Sequence, residues 1–202
     1  MTQTQKKTHR LAVAAMLTAV AAVLQFVEFA IPLMPSFIKL DISDLPALLG
    51  TFSLGPVYGV AIQLAKNLLH LPFGSSAGVG ELSNFILSKV FVFVAYIIYK
   101  HNKSRKSAFV GSVAGAASMA LVSIVTNYFI VYPAYVVLYK LPLEAIVGMY
   151  EAILGGVSHV PTQNALLNCL LVFNVPFTLV KGLLDTALCF LIYKPLSPLL
   201  HR

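Results

Sequence analysis

Charge is what this sequence has least of. Only 10% of its 202 residues are Asp, Glu, Lys or Arg, against roughly a quarter in soluble domains. Meanwhile 58% are hydrophobic, in runs longer than a soluble core requires. This balance excludes a soluble globular domain and predicts an all-α integral membrane protein. The runs are rich in Leu, Ala, Val and Gly without strict alternation, which excludes an outer-membrane barrel. No polar stretch is long enough to act as a linker, so residues 1–202 read as one transmembrane domain.

Further absences exclude particular chemistries. There is no GxxxxGK[ST] phosphate loop, so the chain does not hydrolyse ATP through that fold. There is no HExxH and no Cys/His cluster, so no metal is expected. No Ser/His/Asp set supplies a nucleophile and base, which disfavours an intramembrane enzyme. His70 and His159 stand isolated and read as solvated or structural groups. The two halves show no repeat, which disfavours a symmetric secondary carrier. The net charge is +7, but no base-stacking pattern accompanies it, so nucleic acid is not expected. Lys and Arg gather at helix ends instead, as they do on the cytoplasmic side of membrane proteins. Cys169 and Cys189 lie in or beside one apolar run and read as small packing residues.

What is present is a series of apolar runs. Residues 11–31, 81–99, 108–131 and 170–193 are each long enough to span. The first follows a basic N-terminus and is read as a retained helix rather than a cleaved leader. Two shorter runs, residues 45–54 and 57–73, flank Gly55-Pro56, a step that either kinks one helix or turns the chain between two. Asp44 precedes Pro46 by two residues and predicts a capped helix start. Residues 32–44, with Pro32 and Pro35, and residues 73–80 read as loops. So does 132–143, which holds two prolines. Residues 144–168 read as a long loop with a short interfacial helix.

Charge then sets topology. Lys6, Lys7 and Arg10, the loop cluster Lys100, Lys103, Arg105 and Lys106, and the C-terminal Lys194 and Arg202 should all face the cytoplasm. Residues 11–99 must therefore cross an even number of times, so the stretch 45–73 crosses twice, turning at Gly55-Pro56, or not at all; two crossings are expected. Six helices follow, with a short second helix and both termini cytoplasmic. This topology brings Glu81, Asn84, Asn127 and Lys181 to one depth on the outer side. Polar groups in a membrane are costly and default to functional candidates, so their convergence predicts an outward pocket. Tyr128, Phe129, Tyr132, Tyr135 and Phe177 surround it and suit a flat ligand. On the first helix Ala12, Ala15, Ala19 and Ala22 share a face that another helix can approach closely, whether within the protein or from a partner.

These residues support a resemblance. The segments LDISDLPALLGTFSLGPVYGV at 40–60, KNLLH at 66–70, GVGELSNF at 78–85, NYF at 127–129 with Pro133 and Tyr135 beyond, and PFTLVKG at 176–182 resemble the riboflavin-specific substrate-binding subunits, or S components, of bacterial energy-coupling factor (ECF) transporters. The resemblance covers nearly the whole chain. It implies six helices, an outward pocket capped by the loop between helices one and two, and riboflavin as transported ligand with no cofactor. It further implies that Asn127 and Lys181 hydrogen-bond the flavin ring. Thr178 stands where a PFNxxKG pattern elsewhere has Asn, keeping a hydroxyl but losing the amide's paired donor and acceptor. The expected ligand-binding set is Leu40, Asp41, Glu81, Asn84, Asn127, Tyr128, Thr178 and Lys181. Ala15 and Ala19 match the AxxxA contact with a transmembrane coupling subunit, and two ATP-binding subunits complete the implied complex in the bacterial cell membrane. An autonomous secondary carrier for a small aromatic or vitamin-like solute is the alternative.

Overall fold

The computed structural model describes residues 2–32, 34–35, 38–74, 76–153 and 164–200, with side chains up to 193. His159 and most of the SHVPTQN stretch lie outside the described residues. The chain is mostly helical. Four helical stretches are long and apolar enough to cross a membrane: Gln3–Phe26, Val79–Tyr99, Arg105–Tyr139 and Ala165–Tyr193. The outward faces of these stretches are apolar: Leu11, Met16, Val20 and Val23 on the first are all exposed, as a lipid-facing surface requires.

Helix α1 (Gln3–Phe26) starts at a capping box in which Thr2 and Gln5 satisfy each other's backbone N–H groups. Its inner face buries Val13, Ala14, Ala21, Ala22 and Gln25. Ala12, Ala15 and Ala19 are exposed, so the expected alanine face is split: only Ala22 packs inward. The helix ends before residue 31. Strands β1 (Phe29–Ala30) and β2 (Lys39–Leu40) form a short antiparallel ladder, Phe29 opposite Leu40 and Ala30 opposite Lys39. Lys39 pairs with Glu28 across it. A plain loop was expected here. Two-residue strands carry too little periodicity to announce themselves.

Gly55 resolves the question of the Gly-Pro step. It adopts φ +108 between α2 (Leu45–Leu54) and α3 (Pro56–His70), a conformation L side chains rarely adopt. Pro56 supplies the first helical residue, where its missing N–H is harmless. The chain therefore turns between two helices. They pack closely: a Cβ on Gly59 would fall 1.8 Å from Thr51 Oγ1. The expected cap at Asp44 is corrected. Asp44 has helical φ and ψ and its side chain makes no cap bond, because tertiary partners claim both its charge and its orientation.

Helix α4 (Val79–Tyr99) and α5 (Arg105–Thr126) are joined by the basic loop. Ser104 caps α5 by accepting from the Ser107 N–H. Their contact is backbone to backbone: a Cβ on Gly111 or Gly115 would stand 2.5 Å from the carbonyl oxygens of Ala95 and Phe91 respectively. Small residues four apart are what such close approach needs.

The second correction concerns proline. Residues 132–143 do not form a loop from the outset. Helix α5 runs through a π turn, Asn127–Val131, into α6 (Tyr132–Tyr139), past Pro133. Proline lacks an N–H and crowds the carbonyl four residues back. The wider turn just before it, closed by the Tyr132 N–H on the Asn127 carbonyl, accommodates the interruption. The last span repeats the device. After α7 (Leu143–Ile153) and α8 (Ala165–Cys169), a π turn at Leu170–Asn174 precedes Pro176 in α9 (Val175–Leu200). The expected short helix in 144–168 is α7.

Two apolar clusters result. One gathers Leu48, Leu49, Ile62, Phe91, Val92, Ala116 and Met119 with Cys189 in the body of the bundle. The other joins Tyr132, Ile146, Tyr150, Leu166, Cys169 and Leu170 at one end. Both cysteines are buried free thiols.

Candidate functional site

A pocket opens at the end of the bundle where α1, α3 and α5 finish and α4 and α9 begin. Its wall mixes side chains from both apolar clusters, including Met119, Val131 and Tyr135, with polar groups from five elements. The polar groups are there because π turns and helix ends bring them there. Asn127 opens one π turn and Asn174 closes the other, and both line the pocket.

At its base, Lys181 donates to Asp41 Oδ2 at 2.7 Å and to Asn84 Oδ1 at 3.2 Å. Asp44 Oδ2 lies 3.8 Å from the same ammonium. Beneath, Lys66 donates to Asp44 Oδ1 and to Ser43 Oγ, both at 2.5 Å. Ser43 in turn holds Asp41 Oδ1 through its N–H at 2.9 Å and through its hydroxyl. Burial raises the Asp41 and Asp44 carboxyls, but the ammonium groups more than reverse this. Lys181 dominates for Asp41 and Lys66 for Asp44, so both stay below the ordinary carboxylate range. Charges this deep persist only because they are paired and hydrogen-bonded. Asp185, one helical turn after Lys181, is wholly buried with neither carboxyl oxygen hydrogen-bonded among the described residues.

A second group shapes the rim. Glu81 accepts from Ser76 Oγ at 2.8 Å and meets His70 Nδ1 at 2.9 Å. Gly74 packs against the Glu81 carboxylate: a Cβ there would lie 1.9 Å from Glu81 Oε1, so that side chain would have to move. Gln25 donates to Asn67 Oδ1 at 3.1 Å, and Asn84 donates to the same oxygen at 3.3 Å. The Gln25 carbonyl is left without a hydrogen-bond partner among the described residues. A third group lies opposite: Tyr150 donates to Asn174 Oδ1 at 2.7 Å and shares a short contact with Tyr132 Oη. Burial above all, then the neighbouring Tyr132, pushes the Tyr150 phenol well above its usual pKa and keeps it a donor.

Of the expected set, Asp41, Glu81, Asn84, Asn127, Thr178 and Lys181 all line this pocket. Leu40 and Tyr128 do not. Leu40 is held in the β ladder, half-buried. Tyr128 packs edge-on against Phe129, 4.9 Å between ring centres, and faces a separate groove beside α7. Tyr132, Tyr135 and Phe177 line the pocket, whereas Phe129 is 68% exposed. Two expectations are corrected. Lys181, expected only to face the pocket, is also ion-paired with Asp41. His70 is not isolated but buried against Glu81. Gln25, His70 and Asn174 were missed. The polar intrusions at Gln25 and Asn174 were readable as such, but nothing local marked the face each presents.

Comparison with known proteins agrees with this geometry. The family model described as ECF transporter, substrate-specific component, matches residues 9–193. The chain is 33% identical to the riboflavin transporter RibU of Staphylococcus aureus, over 98% of this chain and 95% of that protein. It is 29% identical to the riboflavin transporter FmnP of Bacillus subtilis, over 97% and 96%. A solved structure of the S component of a bacterial ECF transporter superposes with a TM-score of 0.73 at 34% identity, covering 97% of this chain and 99% of that one.

Proposed function

The chain belongs to the family of ECF transporter substrate-specific components, and from that premise we propose that it captures riboflavin at the outer face of a bacterial cell membrane and delivers it through an ATP-driven complex. The observation that carries this is the pocket itself. A flat ring with alternating N–H and C=O groups needs donors and acceptors in one plane beside apolar faces. Lys181, Asn84, Asn127 and Thr178 supply the first, and Tyr135, Phe177 and Met119 the second. The names of the relatives, riboflavin transporters, point to the same ligand.

We read six crossings, the four long spans with α2 and α3 as the two shorter ones, and the basic segments put both termini in the cytoplasm. The pocket then faces outward, opposite the basic loop at 100–106. Ala15 and Ala19 lie on an exposed face of α1, suited to close contact with a transmembrane coupling subunit. Two ATP-binding subunits would supply the energy that this chain, lacking a phosphate loop, does not. It acts as a single transmembrane substrate-binding domain and not as an enzyme.

Uptake separates this reading from an autonomous carrier. Labelled riboflavin is offered to cells lacking their own flavin transporter, with this chain expressed alone or with a coupling module. Accumulation only in the presence of the module is expected. Equal uptake by the chain alone would favour the secondary carrier.

A further inference from the structure

Four polar side chains lie directly beneath the pocket and do not line it: Ser43, Asp44, Lys66 and Ser88. All four are wholly buried. We propose that Lys66 is a positioning residue for ligand capture: by neutralising Asp44 and bracing Asp41 through Ser43, it keeps the Lys181 ammonium turned toward the pocket. The proposal rests on the riboflavin reading above.

Lys181 stands between two carboxylates. Asp41 Oδ2 is at 2.7 Å and Asp44 Oδ2 at 3.8 Å. The second oxygen has no hydrogen bond among the described residues, so the charge balance sets how strongly it draws the ammonium inward against Asp41 and Asn84. That balance is set by Lys66, whose own ammonium lies 2.5 Å from Asp44 Oδ1, with Ser88 Oγ donating to the same oxygen at 2.6 Å. In a site with little water, opposite charges attract far more strongly than at a surface. Removing Lys66 would leave two anions competing for one cation. Lys181 would then withdraw toward Asp44, and the ligand would lose its charged donor.

The second branch fixes direction. Lys66 donates to Ser43 Oγ, and Ser43 holds Asp41 by one oxygen, leaving the other for Lys181. Ser88, whose single hydroxyl proton goes to Asp44, also lies 3.3 Å from Asn84 Oδ1, the second acceptor of Lys181. Asp41, the nearer partner of Lys181, is thus held from below by groups the ligand never meets.

The test is a cycle of variants in purified protein. Flavin affinity is measured for Lys66→Met, for Ser43→Ala and for each combined with Lys181→Met. Losing the charged donor should weaken binding by about tenfold or more in Lys66→Met, with a smaller loss of about threefold in Ser43→Ala. Neither should weaken binding further once Lys181 is already Met, because sites that act through one another are not additive. Equal losses in both backgrounds, or no loss in either, would overturn the proposal. Ser43→Ala keeps both ion pairs and serves if Lys66→Met does not fold. A second readout needs no flavin. Acylation of Lys181 by a water-soluble succinimidyl ester is followed by mass spectrometry, with Lys39 at the rim as reference. It should slow in Lys66→Met and recover in Lys66→Met/Asp44→Asn. An unchanged rate would also overturn the proposal, whereas a wild type that binds no flavin, with acylation still slowed in Lys66→Met, would sink only the riboflavin reading.

Discussion

Lys181 on α9 donates to Asp41 at 2.7 Å across a sequence separation of 140 residues. The bond ties the loop before α2 to the last helix and places a charged donor at the base of the pocket. The lysine is thus both ion-paired and pocket-lining, and a structural role and the proposed ligand-binding role separate experimentally.

Lys181→Met should weaken riboflavin binding by about ten- to a hundredfold, since hydrogen bonds to charged groups contribute roughly 1.5–3 kcal/mol and 1.4 kcal/mol is tenfold. It should also destabilise the protein by about 3–5 kcal/mol, because Asp41 is left buried without its partner. Lys181→Met/Asp41→Asn should regain stability without regaining affinity. Fluorescence titration and thermal unfolding in detergent check the two halves. Full affinity in Lys181→Met would remove the lysine from the ligand site.

Gly74→Ala should act on the rim. The added Cβ displaces the Glu81 carboxylate, which then loses His70 or Ser76. The carboxylate's loss of a partner is felt at the ligand only indirectly, so affinity should fall by about three- to tenfold, roughly 0.7–1.4 kcal/mol. Glu81→Gln should do less, because Gln keeps an acceptor for Ser76. The reverse order of effects in the same titration would count against a role for the Glu81 carboxylate in shaping the rim.

The sequence disclosed the parts of this site better than their pairing. The turn at Gly55-Pro56 was legible only once the charges were placed, since the step alone fits a kink or a turn. The convergence of Glu81, Asn84, Asn127 and Lys181 was legible because charge and helix length fix depth. Which carboxylate meets Lys181 was not, since Asp41 is remote in sequence. Asp44 read as a cap because capping is a local preference, and the pull of Lys66 from α3 overrode it. The helical path past Pro133 was illegible because the π turn that permits it leaves no residue signature.

Ala15→Leu or Ala19→Leu should abolish uptake in cells and complex formation with the coupling subunit. Flavin binding by the isolated protein should be retained, because both residues are exposed on α1, away from its buried face. Lost binding would assign that face to internal packing.

Topology is checked by cysteine labelling. Ser104→Cys should react only from the cytoplasm and Ser76→Cys only from outside. Cys169 and Cys189 are buried, so background labelling is low. Both new cysteines reacting from one side would overturn six crossings.

The most direct test of the account is titration of the purified protein with riboflavin, followed by flavin fluorescence quenching, alongside Asn127→Ala. Saturable one-to-one quenching is expected in the wild type. In Asn127→Ala it should weaken by about tenfold, as loss of a neutral hydrogen bond in a closed site implies. Absence of saturable quenching in folded wild-type protein would contradict the claim that this pocket binds riboflavin.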